Sequence, residues 1–263
     1  MDFQRKEKYS MEDLLRIMKI LRSPDGCPWD KEQNHKSLRT CFLEETYEAV
    51  EAIDTDDSGL LKEELGDVLL QIIFHSELEE EQGRFDFSDV VDGVAKKMVE
   101  RHPHVFGNAV AETSDDVLVN WDAIKKRTKS HKSQSDVLKS VSPALPALMR
   151  SAKVQQKAAK VGFDWPDVEG ALTKVEEEFR ELKEAIQNGS EEGQKEELGD
   201  LLFSAVNVSR FLKVEPEQSL TEACNKFIRR FTRVEELAKE RGVDMEAASL
   251  DELDRLWDEA KNV

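Results

Sequence analysis

An all-α protein of two tandem helical units, the second a duplicate of the first, is the fold to expect from this chain. Charged residues make up 36% of its 263 positions, against only 12 Gly and 7 Pro. That balance favours long solvated helix faces over a β-rich fold. Apolar residues recur at helical spacing, and β-branched runs bounded by turns are missing. A shift of 133 positions also lays Glu44-Glu45-Thr46-Tyr47-Glu48 on Glu177-Glu178-Phe179-Arg180-Glu181 and Glu63-Glu64-Leu65-Gly66-Asp67 on Glu196-Glu197-Leu198-Gly199-Asp200, with Ala52 on Ala185 and Leu69 on Leu202. Equal spacers in both copies mark an internal duplication.

The elements follow in order. Met11–Arg22 carries Leu14, Leu15, Ile17, Met18 and Leu21 at helical spacing, and Ser23-Pro24-Asp25-Gly26-Cys27-Pro28 breaks it. Trp29–Gln33 is a loop or helix start. Ser37–Ile53 is a helix with Leu43, Tyr47 and Val50 on its apolar side, and Leu60–Glu80 follows a polar turn. Its middle, Val68–Phe74, is apolar nearly all round and is expected to be buried. Asp89–Glu100 is a helix with Asp86 or Ser88 as N-cap. Ser114–Arg127 is a further helix, capped by Ser114, with Trp121 and Ile124 on one face.

The order then repeats: Leu145–Lys160, a break at Val161–Pro166, Asp167–Asn188 ended by Gly189, and Glu191–Leu212 capped by Ser190. The last of these has Leu201, Leu202, Phe203, Val206 and Val208 as its expected core face. Ser219–Arg241 and Ser249–Lys261 close the chain. The expected organisation is an N-terminal domain at 1–128, a Ser- and Lys-rich linker at 129–144 and a C-terminal domain at 145–263.

Bulk properties exclude some functions. A formal net charge of -18 disfavours nucleic-acid binding by phosphate neutralisation. Cys27, Cys41 and Cys224 form an odd set with no Cys-x-x-Cys, which suits a reduced, cytoplasmic protein without a disulfide framework. No apolar run reaches membrane-spanning length, so no membrane partner is expected.

The carboxylates carry the chemistry. Glu45 with Glu48, Glu64 with Asp67, Glu178 with Glu181 and Glu197 with Asp200 are each three residues apart and share a helix face. Two such helices packed antiparallel bring four carboxylates together, and their repulsion calls for a cation between them, best a hard divalent ion with oxygen ligands. Isolated Glu-x-x-Glu pairs are usually solvated surface. These pairs instead directly precede the most apolar stretches of their helices. Gly66 and Gly199 sit mid-helix, at a cost of about 1 kcal/mol relative to Ala, which suggests close packing or close ligand approach.

Glu-x-x-Glu, a fifteen-residue gap and Glu-x-x-Asp, with C-P-W-D-K-E-Q at 27–33, R-H-P-H-V-F at 101–106, V-G-F-D-W at 161–165 and N-K-F-I-R-R-F at 225–231, resembles the all-α nucleoside triphosphate pyrophosphohydrolase family in its tandem form. The resemblance implies Mg²⁺-dependent hydrolysis of NTPs and dNTPs to the monophosphate and pyrophosphate by a helical homodimer, with Mn²⁺ as a possible substitute ion. By the same resemblance, Glu178, Glu181, Glu197 and Asp200 would be metal ligands of one site, and Glu45, Glu48, Glu64 and Asp67 those of the other. Glu177 or Glu44 would orient or deprotonate the water beside the ligand Glu178. Lys174 and Glu196 would lie on the substrate side, and Trp257 would contact base or ribose or else serve as a core aromatic.

Lys226, Arg229 and Arg230 share one helical face and suit a triphosphate. The matching first-half stretch, Lys96–Arg101, keeps Lys97 and Arg101 but has Glu100 in place of an Arg. The second half is therefore expected to carry most of the activity. A di-iron oxidoreductase would need Glu-x-x-His, which neither His75 nor His102 supplies. His102-Pro103-His104 alone is a weak soft-metal signal. The rival from another class is a nucleotide-sensing or partner-binding protein without turnover.

Overall fold

The computed structural model describes residues 3–109, 111, 113, 117, 121 and 133–261. Two units divide between Lys129 and Ser130. Every regular element among the described residues is helical, and none of these helices is long and apolar enough to cross a membrane.

In the first unit, α1 (Met11–Arg22) starts with a capping box in which Ser10 and Asp13 satisfy each other's backbone N–H. The chain then doubles back tightly. Cys27 N–H donates to Leu21 O at 2.8 Å, and a Cβ on Gly26 would sit 2.2 Å from that same oxygen, so only glycine fits. The short α2 (Pro28–Glu32) has Pro28 in its first turn, where the missing N–H costs nothing. A long hairpin follows: α3 (Arg39–Asp54) and α4 (Ser58–Glu80), turned by Asp57, whose carboxylate accepts from the N–H of Gly59 and Leu60. Three intervening residues oblige the two helices to run antiparallel side by side.

The core of this unit is Met18, Leu38, Ile73, Phe74 and Leu78, with Leu14, Leu15, Leu69, Leu70 and Phe87 packed around it. It lies on the Ile73–Leu78 end of α4. Arg22 binds both oxygens of Glu81, at 2.6 and 2.8 Å, and covers the Phe74 ring, tying α1 to the end of α4. His35 Nδ1 is 2.7 Å from His75 Nδ1, His35 Nε2 is 2.6 Å from Glu79, and Glu79 is paired in turn with Arg84. This chain fixes the loop before α3 on α4. The helices α5 (Phe87–Arg101) and α6 (Pro103–Phe106) follow; Asp86 caps α5 in a box with Asp89.

The second unit begins within the stretch expected as linker: α7 (Gln134–Lys139) is a capped helix, with Ser133 and Asp136 forming its box. It packs on α8 (Ala147–Ala159), and Gln134 donates to Lys157 O at 2.7 Å. The second hairpin is α9 (Val168–Gln187) and α10 (Glu191–Leu212), capped by Asp167 and Ser190, with Gly189 between them at φ 67°. Then come α11 (Pro216–Arg241) and α12 (Leu250–Ala260), which enclose Val234, Leu237, Ala238, Leu256 and Ala260. Asp164 and Arg210 pair, fastening the V-G-F-D-W turn to α10. Most of the helix expected over Ser114–Arg127 and the start of the expected linker lie outside the described residues.

Two expectations need correction. Within α10, Val206 is buried and Leu201 and Val208 are half-buried, but Leu202 is 52% exposed and Phe203 is also exposed. Leu202 and Phe203 are thus only partly covered within their own unit. Gly66 and Gly199 have no other group within 4 Å of where a Cβ would stand, so packing within the chain does not demand them.

Candidate functional site

Each hairpin brings carboxylates of both its helices to one point. In the first, ligand oxygens of Glu45, Glu48 and Glu64 all lie within 4.8 Å of one another; in the second, those of Glu178, Glu197 and Asp200 do. The antiparallel turn of each hairpin sets this register, since residues three apart on each helix face the partner helix. Asp67 and Glu181 fall outside the two tight triads yet act on them. Burial pushes the Glu64 carboxyl up, and the charges of Glu48, Asp67, Glu45 and Glu63 push it further. Glu45 is raised by burial and then by Asp67, Glu48 and Glu44. In the second hairpin Glu197 is raised by burial, then by Glu181, Glu178, Asp200 and Glu196. Six of the eight carboxylates expected as ligands form the close triads, and Asp67 and Glu181 are charges that act on them.

The donor set is oxygen only, with like charges forced together. Glu64 is 7% exposed and Glu178 is 5% exposed. Buried carboxylates in mutual repulsion fit a hard dication such as Mg²⁺ or Mn²⁺, whose charge offsets both burial and repulsion. A soft ion preferring imidazole or thiolate has no such cluster among the described residues. His102 and His104 do not add one: His102 Nδ1 lies 2.6 Å from Met98 O.

The two sites differ in their cations. Lys174 Nζ is 2.6 Å from Glu178 Oε1 and 3.1 Å from Glu177 Oε1, and these two carboxylates raise the lysine's pKa. In the register that lays Glu178 on Glu45, the place of Lys174 is taken by Cys41. The chain's own fold thus sets Lys174 on the carboxylate cluster, a contact that its i, i+4 spacing from Glu178 made readable. Glu44 and Glu196 are exposed, each a neighbouring charge to its cluster.

The cations expected to grip phosphate make no contact with the clusters among the described residues. Lys226 and Arg229 are exposed and Arg230 is half-buried on α11, and among the described residues no ion pair joins them to the carboxylates of α9 and α10. Phe227 and Ile228, between them, are 56% and 60% exposed. Trp257 packs against Phe227, ring centroids 5.1 Å apart, and on the α11–α12 core. In the first unit Lys97 is exposed and the Arg101 guanidinium lies 6.0 Å from the centroid of the Trp121 ring. Sequence reasoning gave no hint of a cavity of about 440 Å³ in the second unit, lined by Gln155, Phe163, Trp165, Phe203, Asn207 and Arg210 among others. It begins one turn beyond Asp200 on α10.

Comparison with known sequences follows the same division. The model of the MazG nucleotide pyrophosphohydrolase domain matches residues 33–106 and again 167–235. A Thermotoga maritima protein named nucleoside triphosphate pyrophosphohydrolase/pyrophosphatase MazG is 45% identical over 250 residues, 95% of each chain. An Escherichia coli K12 protein named nucleoside triphosphate pyrophosphohydrolase is 42% identical over 254 residues, 95% of this chain and 97% of that one. The Bacillus subtilis protein YabN, described as uncharacterized, is 50% identical over 246 residues, 93% of this chain and 50% of its own length.

Proposed function

The chain belongs to the MazG nucleotide pyrophosphohydrolase family, and on that premise we propose that it hydrolyses nucleoside triphosphates, ribo and deoxy, between the α and β phosphates. The products are the monophosphate and pyrophosphate. The observation that carries this reading is the twofold convergence of three carboxylates within 4.8 Å. Glu178, Glu181, Glu197 and Asp200 would hold Mg²⁺ in the second unit, with Mn²⁺ as a substitute, and Glu45, Glu48, Glu64 and Asp67 in the first. Bound there, the ion supplies charge neutralisation on the phosphates and a lowered pKa for a bound water.

The chain's own groups do the rest. A water attacks phosphorus, its proton passes to a carboxylate, and the bond to the bridging oxygen breaks as pyrophosphate leaves. Glu177, next to the ligand Glu178 and within reach of Lys174, is the base in this scheme; Glu44 holds the matching place in the first unit. Lys174, Lys226, Arg229 and Arg230 grip and orient the triphosphate, with Glu196 on the substrate side away from the phosphates and Trp257 against base or ribose. Lys97 and Arg101 are the reduced counterpart in the first unit. Glu100 and Cys41 leave that unit short of cations, so the second unit carries most turnover.

A second copy of the chain completes the arrangement. Leu202, Phe203, Phe227 and Ile228 are exposed apolar residues, the last two on the helix of Lys226, Arg229 and Arg230, cations with no ion pair among the described residues, and a homodimer meets both needs. We read the protein as cytoplasmic, acting without nucleic acid or membrane, in line with its acidic charge and three free cysteines. The test is ³¹P NMR of protein with ATP or dGTP and Mg²⁺. Pyrophosphate with monophosphate, abolished by EDTA, is the expected result. Orthophosphate with diphosphate refutes α–β cleavage, and no turnover across a nucleotide panel favours nucleotide sensing instead.

A further inference from the structure

We propose that Lys174 is a resident counter-ion of the second carboxylate site, competing with a divalent cation for Glu178 until a triphosphate draws the ammonium away, and that the first site has no such gate. This deepens the reading of the second unit given above and rests on it. The ammonium is 2.6 Å from Glu178, the most buried member of its triad, and 3.1 Å from Glu177. A cation entering the triad has to share or take the same carboxylate.

The side chain suits exchange. Lys174 is 36% exposed at its side chain, so its stem is free to swing, and a lysine ammonium is a compact point charge that binds phosphate as readily as carboxylate. A triphosphate offers it a richer set of anionic oxygens. Moving there frees Glu178 for the ion while adding a cation to the phosphates. Metal and nucleotide then strengthen one another's binding, reciprocally and by the same factor.

The first site provides the control within the same chain. Cys41 occupies the matching position as a free, half-buried cysteine, and no cation is paired to Glu45, Glu48 or Glu64 among the described residues. That site should take a divalent ion by itself; the second should wait for nucleotide.

The experiment is Mn²⁺ titration of the full chain, read by the EPR signal of free Mn²⁺, without nucleotide and with a non-hydrolysable triphosphate analogue, the Mn²⁺ held by the analogue alone being measured first and subtracted. Two classes of site are expected, the tighter removed by Glu64→Gln and the weaker by Glu197→Gln. Lys174→Met should tighten the weaker class by about 10-fold, within the usual range of coupling between sites, and shrink the analogue's effect on it by the same factor, leaving the part that comes from phosphate meeting the ion directly. Cys41→Lys should weaken the tighter class comparably. Unchanged or weakened Mn²⁺ binding in folded Lys174→Met overturns the proposal, as does a weak class that survives in Glu197→Gln. Circular dichroism melting confirms folding, and Cys41→Lys decides the matter if Lys174→Met is misfolded. Pyrophosphate release by the wild-type chain is scored separately. Turnover with no shift in Lys174→Met defeats the gate alone, whereas absence of turnover defeats the hydrolase reading whatever the titration shows.

Discussion

Replacing Glu197 by Gln keeps the shape of the side chain and removes one charge from a triad whose oxygens lie within 4.8 Å of one another. Even groups that only support metal ligands are worth 10- to 100-fold in affinity, so a ligand should be worth at least that. At Mg²⁺ ten times above the wild-type dissociation constant, a site about 90% filled falls to roughly 50% for a 10-fold loss and roughly 10% for a 100-fold loss. Pyrophosphate release should fall at least in proportion and recover partly as Mg²⁺ is raised. Glu64→Gln should leave turnover nearly intact, because the first unit lacks the cations to use its ion.

The same substitution should act oppositely on stability without metal. Glu197 is raised above its ordinary value in the folded chain, so its ionised form opposes folding at neutral pH. That opposition fades as pH falls through the raised value. In EDTA, Glu197→Gln should therefore melt at or above wild type near neutral pH, with the difference shrinking in acid; in Mg²⁺ it should melt below wild type. An unchanged Mg²⁺ dependence of turnover, or equal losses from Glu64→Gln and Glu197→Gln, would refute the assignment.

Other perturbations test the scaffold. Ile73 is 1% exposed at the centre of the first core, and Ile73→Ala should cost about 3 kcal/mol in urea unfolding, with the second unit's pyrophosphate release largely kept. Glu79 is held at a pKa of about 2, first by the Arg84 guanidinium and then by His35, against an ordinary 4.5. Its stabilising contribution is full above 4.5 and disappears as pH falls through about 2, so the melting gap between wild type and Arg84→Ala should close across that window. Ile228→Asp should convert a dimer to monomers in sedimentation, and turnover should fall with assembly.

The hairpins were legible because their apolar spacing, caps and paired carboxylates are local signals. Asp86, Ser190 and Gly189 do at the helix ends what their types suggest. The helix Gln134–Lys139 could have been read from the Ser133 and Asp136 box, but a Ser- and Lys-rich composition outweighed six residues of pattern. The His35, His75, Glu79 and Arg84 chain joins residues 40 positions apart and has no local sign. Leu202 and Phe203 were misassigned to a core for a physical reason: an apolar helix face looks the same whether it packs on its own chain or another. Spacing alone gave two sets of four carboxylates; which three of each stand within 4.8 Å depends on the register between the two helices, which spacing does not carry.

The half-exposed apolar residues of the second hairpin and of α11 also bear on how this chain reaches its native state. In the homodimer proposed above, a surface covered only by encounter with a second chain makes the last step of folding second order. The melting temperature should then climb with protein concentration, and dilution should loosen the fold before any chemical denaturant is added. Refolding from urea should end in a slow phase whose rate scales with chain concentration.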